Sequence, residues 1–230
     1  MSPLKESKLM IDEIRPLPEL TRIEARLLGV LIEKEKTTPD AYPLTLNGLA
    51  AGCNQKSSRD PVMSIGDAEI QAALDELRPR LLVLETYGAS GRVLRYAQNF
   101  SKCYGLPAAS VALLAALMLR GAQTVSELRA NCERLYRFDD ASSVEAYLDE
   151  LAQRGSGALV RKLSKQPGSR EHRWVHLLCG DAAQPAETEI ADDRPTDELH
   201  ARVENLEREM SELRAELKAL ANRISGAPLQ

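Results

Sequence analysis

Ile70-Gln-Ala-Ala-Leu-Asp-Glu-Leu77 recurs further along the chain as Val144-Glu-Ala-Tyr-Leu-Asp-Glu-Leu151. Both stretches place apolar side chains at helical spacing, so each predicts an amphipathic helix. Three more pairs of blocks match in the same order, which indicates an internal duplication. Two copies are too few to stack as a solenoid, so we expect two related folding units. The other matched blocks are Ala25–Ile32 with Val111–Met118, Thr45–Cys53 with Thr124–Cys132, and Arg95–Gln98 with Arg173–His176.

Each copy of the repeat predicts three helices followed by a β-hairpin. In the first copy, Thr21 and Glu24 have the spacing of a capping box, which starts a helix. Thr45 is placed to cap a second, short helix, and Pro79 ends the third. The expected elements of the first copy are a helix from residue 21, a short helix from residue 45, a helix over 67–78, strands over 81–87 and 92–98, and a polar loop over 54–61.

The second copy predicts the same order of elements. Three helices and a hairpin within ~80 residues are typical of a winged helix, a helix-turn-helix with a β-wing. The predicted fold is therefore mainly α with small β-hairpins (α+β): two tandem winged-helix domains plus a C-terminal coiled-coil helix. The expected elements of the second copy are helices over 110–120, 124–133 and 142–154 and strands over 159–165 and 170–178.

Three long strings of residues add a family resemblance to this pattern. They are Leu20-Thr-x-x-Glu-Ala-Arg-x-Leu-Gly-x-Leu-x-Glu-Lys34, Tyr42-Pro-Leu-Thr-Leu-Asn47 and Cys53-Asn-Gln-Lys-Ser-Ser-Arg-Asp-Pro-Val62. Over about residues 17–180 the chain resembles the YceH-like family of uncharacterised bacterial proteins with tandem winged helices. The resemblance implies the fold and cytosolic residence, and it supplies neither a reaction nor catalytic residues.

The charge of the chain is distributed unevenly. The net charge of −4 combines +2 from residues 1–180 with −6 from residues 181–230, which excludes a uniformly basic nucleic-acid coat. The acidic stretch with two prolines before the last helix predicts a flexible linker. The expected divisions are an N-terminal extension (1–16), a first winged-helix domain (17–100), a second winged-helix domain (101–179), the acidic linker (180–196) and a coiled-coil dimerisation helix (197–225).

The apolar residues of the last helix alternate at spacings of four and three, which is the heptad pattern of a coiled coil. Leucine at every d position favours two parallel strands, so we expect a homodimer. Arg202 would meet the partner's Glu207 with opposite charge, which agrees with that arrangement. A helix that folds back on its own chain is the alternative. The heptad positions are Leu199, Val203, Leu206, Met210, Leu213, Leu217, Leu220 and Ile224.

The leading interpretation is a non-enzymatic DNA-binding or transcription-associated regulator that contacts DNA through basic wings, and the alternative is a scaffold that binds other proteins. The predicted third helices are acidic, with net charges of −3 over 67–78 and −2 over 142–154, so they disfavour conventional DNA readout. Basic residues in the second hairpin and in the loop after the second helix could contact phosphate instead. Cations at hairpin tips also serve solubility and edge protection, and acidic third helices could dock other proteins. The candidate nucleic-acid contacts are Lys56, Arg59, Arg161, Lys162, Lys165, Arg170 and Arg173.

Catalysis, cofactors and membranes are not expected. The chain has no catalytic motif, no small-molecule substrate is evident, and His172 and His176 would lie ~13 Å apart on a strand, too far to share a metal ion. The strongly apolar run over 111–119 is shorter than the ~20 residues of a membrane span. Cysteines without a CxxC pair and an N-terminus without a signal pattern predict a cytoplasmic protein. We expect Cys53, Cys132 and Trp174 to be buried in the core.

Overall fold

In the computed structural model, which describes residues 19–87, 91, 93–165, 168–180, 208 and 210, helices alternate with small antiparallel sheets in a mixed α+β fold. Residues 19–180 fall in one compact unit, and residues 208 and 210 fall in another. The α+β class predicted from the sequence is confirmed.

The first half of the fold begins at the predicted capping box. The Thr21 hydroxyl accepts from the Glu24 N–H at 3.2 Å, and the Glu24 carboxylate accepts from the Thr21 N–H at 2.7 Å. Thr45 accepts from the Gly48 N–H at 3.2 Å and so caps the second helix. Both threonines therefore begin helices where the sequence predicts them. The elements are α1 (Arg22–Thr37), a short 3-10 turn (Pro39–Ala41), α2 (Leu46–Cys53), α3 (Asp67–Leu77), β1 (Val83–Tyr87) and β2 (Leu94–Gln98).

The second half repeats this order with two additions. A short helix, α4, precedes it, and a two-residue strand, β3, lies just before its second helix. Neither element was predicted, because each is too short to show a periodic pattern. The elements are α4 (Phe100–Tyr104), α5 (Ala108–Arg120), β3 (Gln123–Thr124), α6 (Val125–Cys132), α7 (Ala141–Ala152), β4 (Val160–Lys162) and β5 (Arg173–His176).

Each hairpin takes on a further strand segment from the residues before the second helix. In the second half, the sheet order is β3-β5-β4, and Gln123 pairs with Trp174. In the first half, β1 pairs antiparallel with β2, and Leu44 forms an isolated bridge with Tyr96. Leu44 and Gln123 each directly precede the capping threonine of the second helix. The duplication therefore extends to backbone pairings that the sequence pattern did not indicate.

The two halves share one hydrophobic core. Helix α1 packs along α5, and the approach is closest at Gly29, where an added Cβ would lie 2.9 Å from Leu119 Cγ. The Leu20 N–H also donates to the Leu178 carbonyl at 2.7 Å, which joins the start of the first half to the end of the second. The two halves therefore pack against each other as one unit and are not separate domains joined by a linker.

Several predicted segments lie outside the described residues: the N-terminal extension over 1–16, the acidic linker beyond Gly180, and the heptad positions other than Met210. Met210 is helical and 51% exposed. Within the described ranges, no helix combines the length and the apolar character that crossing a bilayer requires.

Candidate interaction surfaces

The outer faces of α3 and α7 are acidic and exposed. The inner residues of α3, such as Ile70 and Leu74, are buried, so its charged residues face solvent. Four of the exposed carboxylates, those of Asp67, Glu69, Asp149 and Glu150, have no cationic partner among the described residues. The exposed carboxylates are Asp67, Glu69, Asp75 and Glu76 on α3 and Glu145, Asp149 and Glu150 on α7.

Two cations of the second hairpin are paired with carboxylates of neighbouring helices. Lys162 Nζ lies 3.1 Å from Glu145 Oε1 and 5.4 Å from the centre of the Trp174 ring. Arg173 Nη2 lies 3.1 Å from Glu127 Oε1. Exposed pairs of this kind contribute about 1 kcal/mol or less, yet each sets a negative charge beside a predicted phosphate contact. The hairpin is therefore less cationic than its sequence indicated.

The remaining predicted cations of this hairpin differ in their surroundings. Lys165 and Arg170 are exposed on either side of the turn, and neither has an ion-pair partner within the described ranges. Arg161 is half-buried. Among the described residues of this hairpin, the exposed cations without an ion-pair partner therefore lie on either side of the turn.

The structure corrects the assignment of Arg59 to a solvent-facing contact. Its side chain is 0% exposed, and its guanidinium donates to both oxygens of Glu33 at 3.1 and 2.6 Å. It also donates to the Gly52 carbonyl at 3.1 Å and to Gln55 Oε1 at 2.6 Å. Its donors are therefore directed inward, because the loop folds around this side chain. Lys56, from the same loop, is exposed as predicted.

A second buried arginine, Arg26, holds both ends of this loop. Its guanidinium donates to the Cys53 carbonyl at 3.3 Å and to the Pro61 carbonyl at 2.7 Å. Burial, together with the nearby charge of Arg59, lowers the pKa of Arg26. The sequence analysis did not single out Arg26 or Glu33. The available signal was Arg26 itself, a charged residue inside the apolar block Ala25–Ile32. Much of the Cys53–Val62 motif therefore serves the fold.

The same loop contacts the second half and borders a polar cleft of about 260 Å³. The Asp60 N–H donates to the Leu119 carbonyl at 2.8 Å, which fixes the loop against the end of α5. The cleft lies where α1, α5 and α6 end, and both halves of the chain line it. Its polar lining includes Lys34, Ser57, Ser58, Arg120, Asn131 and Arg134.

Comparison with known proteins identifies the family. Residues 20–169 match the family described as "Protein of unknown function, DUF480". The chain belongs to this family. It is 50% identical over 215 residues to a UPF0502 protein of Leptothrix cholodnii, covering 90% of this chain and 96% of the relative. It is 52% identical over 205 residues to a UPF0502 protein of Dechloromonas aromatica, covering 86% and 94% of the two chains, and 53% identical over 216 residues to one of Acidovorax sp., covering 90% and 95%.

In this DUF480 chain the predicted core residues are buried. Cys53 and Cys132 are both inaccessible, and burial raises the pKa of their thiols to about 11 and about 12. Both thiols are therefore protonated at neutral pH, which agrees with their predicted role as small apolar side chains. Trp174 is 1% exposed, as predicted.

The two histidines of the second hairpin have different environments. His176 is buried, and burial lowers its pKa to about 4. His172 is exposed, with its Nδ1 atom 3.0 Å from the Leu163 carbonyl. Across the described part of this DUF480 chain, no three histidine, cysteine or acidic side chains are grouped closely enough to hold a metal ion.

Proposed function

We propose that this chain is a non-enzymatic, cytoplasmic tandem winged-helix protein that binds a partner protein through the exposed acidic faces of α3 and α7. The observation that carries the proposal is the exposure of carboxylates on both helices at once. In a DNA-binding winged helix, the third helix enters the major groove among phosphates. Here the same position in each copy presents negative charge, which favours a basic protein surface.

The order of elements supports the winged-helix interpretation of both halves. Each half contains three helices followed by a hairpin, and each hairpin pairs with the residue before the second helix, at Leu44–Tyr96 and Gln123–Trp174. That arrangement is the expected one for a helix-turn-helix closed by a wing. It makes α3 and α7 equivalent elements, so one type of docking surface occurs twice.

Electrostatics favours a protein over DNA as the ligand of these helices. Phosphates beside Asp149 or Glu150 would be repelled, and the counterion release that drives nucleic-acid binding would be lost. Lysine or arginine on a partner protein would be attracted by the same carboxylates, which speeds encounter and selects partners. A basic protein surface is therefore the better match for α7, and for α3 by the same reasoning.

The test is affinity capture from a lysate of the native host with the intact chain and with the triple variant Asp67→Asn, Asp149→Asn, Glu150→Gln. A partner held through these carboxylates should be retained by the unchanged chain, lost by the variant and released by raised salt. Reconstitution with the purified partner then measures the loss of affinity directly.

Glu133→Gln is the matched control, because Glu133 is an exposed carboxylate outside both third helices. Capture by this control should equal that of the unchanged chain. Equal capture by the triple variant would overturn the docking proposal.

DNA binding through the second hairpin is the other candidate function, and it is favoured by Lys165 and Arg170, which are exposed and have no ion-pair partner in the described part of the chain. A DNA column at low salt is the test. Retention that disappears in Lys165→Gln, Arg170→Gln, but persists in the exposed control Arg137→Gln, would support this candidate. Absence of retention at ~50 mM salt would reject it, because phosphate binding is strongest at low ionic strength.

Dimerisation through the heptad positions Leu199–Ile224 completes the proposed architecture. A parallel pair of chains would carry four acidic third-helix surfaces, two from each chain. Simultaneous engagement of two surfaces raises the apparent affinity for a repeated or dimeric partner without any new contact. The fold-back alternative predicts a monomer, and sedimentation distinguishes the two.

A further inference from the structure

The polar cleft between the two halves of the repeat has the features of an anion site. Its volume is about 260 Å³, and it is open at the surface where α1, α5 and α6 end. Cationic side chains enter it from three elements: Lys34 from α1, Arg120 from α5 and Arg134 from the segment after α6. Hydroxyl and amide groups of Ser57, Ser58 and Asn131 supply hydrogen-bond donors beside them.

Two of these cations have no side-chain partner among the described residues. The side chains of Arg120 and Arg134 make no hydrogen bond or ion pair there, whereas Lys34 contacts Gln55 Oε1 at 3.4 Å and Glu33 at 3.5 Å. The carboxylate of Glu33 is already bound by the buried guanidinium of Arg59. The negative charge of Glu33 is therefore balanced by Arg59, and the cationic side chains that line the cleft face its open space.

Helix termination alone does not explain these cations. Two of the last four carbonyls of α5 already have donors: Leu117 accepts from the Gly121 N–H at 2.9 Å and Leu119 accepts from the Asp60 N–H at 2.8 Å. A helix C-terminus carries the equivalent of about half a negative charge, which is smaller than the full charge of the side chain placed near it. The positive charge at the cleft therefore exceeds what the three helix ends can balance.

We propose that this cleft binds the phosphate group of a small phosphorylated ligand. Arginine donates two parallel hydrogen bonds to phosphate oxygens, and serine hydroxyls complete such a site. The volume lies just below the ~300–1,000 Å³ range of sites for drug-sized molecules, so the ligand is small. Because both halves line the cleft, a bound phosphate would bridge Ser57 of the first half and Arg134 of the second.

Calorimetry of the intact chain with inorganic pyrophosphate and with adenosine monophosphate tests this site, and a short DNA duplex is the third probe. The expected result is saturable binding of pyrophosphate or adenosine monophosphate, weakened at least tenfold in Arg134→Gln and in Arg120→Gln. Arg137→Gln is the matched control, since Arg137 is exposed, pairs with Glu133 and lies outside the cleft lining. The thermal midpoint without probe establishes that each variant is folded.

The probes distinguish the sources of the phosphate. Binding of pyrophosphate or the mononucleotide identifies a small-molecule ligand, whereas binding of the duplex alone, still lost in Arg134→Gln, identifies a nucleic-acid backbone and overturns the small-ligand assignment. Absence of binding by all three probes, or equal binding by the cleft variants and the control, overturns the site. Partner capture through α3 and α7 involves other residues, so either proposal can fail without the other.

Discussion

The guanidinium of Arg59 lies 2.6 Å from the carboxylate of Glu33, and the arginine side chain is 0% exposed. The pair connects the loop after α2 to the last turns of α1. Arg59 also binds the Gly52 carbonyl at 3.1 Å, so one side chain organises the loop, the end of α2 and α1. This loop in turn borders the cleft shared by the two halves, so a fold-stabilising arginine shapes a candidate binding site.

Arg59→Ala should destabilise the protein by roughly 3 kcal/mol, because it removes the buried guanidinium that binds the Gly52 carbonyl and leaves Glu33 only the more distant Lys34, at 3.5 Å. Urea unfolding followed by circular dichroism measures the change. Arg78→Ala is the control: Arg78 also pairs with two carboxylates, Asp75 and Glu85, but at the surface, where about 1 kcal/mol or less is expected. Equal effects of the two substitutions would contradict the structural role of Arg59.

Gly52 and Gly155 should respond oppositely to alanine. A Cβ at Gly52 would lie 2.5 Å from Val30 Cγ1, so Gly52→Ala should force α2 away from α1 and cost about 1–3 kcal/mol. A Cβ at Gly155 meets nothing within 4 Å, so Gly155→Ala should be neutral or slightly stabilising. Thermal midpoints of the two variants provide the comparison, and a stable Gly52→Ala would show that α2 does not pack as closely as described.

The elements with a periodic pattern could be predicted from the sequence, and the contacts between elements could not. Thr21 and Thr45 cap helices where predicted because a cap is a local signal. Arg59 was misassigned because an arginine in a polar stretch resembles a surface residue until its acceptor Glu33, 26 positions away, is known. The β3 pairing at Gln123 was missed for a similar reason, since two residues carry no alternation and only the distant Trp174 defines the strand.

The candidate surfaces divide in the same way. The acidic character of the third helices could be read directly, because helical spacing separates inner from outer residues. The pairing of Lys162 with Glu145 joins residues 17 positions apart, so the sequence overestimated the free charge of the hairpin. The cleft at Arg120 and Arg134 could not be predicted from the sequence, because the segments that line it come together only in the folded chain.

Acid should weaken the fold through His176. Burial lowers its pKa from 6.5 to about 4, so between those pH values the unfolded chain binds a proton that the folded chain does not. The contribution of His176 to the free energy of unfolding is therefore complete above pH ~6.5 and is lost as the pH falls from there through about 4. The total loss is roughly 3 kcal/mol, at ~1.4 kcal/mol for each pKa unit.

Urea midpoints at pH 7 and pH 4.5 measure this dependence. His176→Gln removes the titrating group, so its midpoint should change less between the two pH values than that of the unchanged chain. His172→Gln, at an exposed position on the same hairpin, should keep the full pH dependence. An identical pH dependence in His176→Gln would assign the acid sensitivity to other groups.

The heptad helix should control the oligomeric state. We expect the intact chain to sediment as a dimer and a chain ending at Asp193 to sediment as a folded monomer, since the buried core that the described residues form lies between Leu20 and Leu178. Leu213→Lys in the intact chain places a charge at a d position and should also give a monomer, because the seam between the helices has to exclude water. Ser211→Lys adds the same charge outside the seam and should leave the dimer intact. A truncated chain that still sediments as a dimer would place the interface within residues 1–193 and leave the heptads to fold back on their own chain.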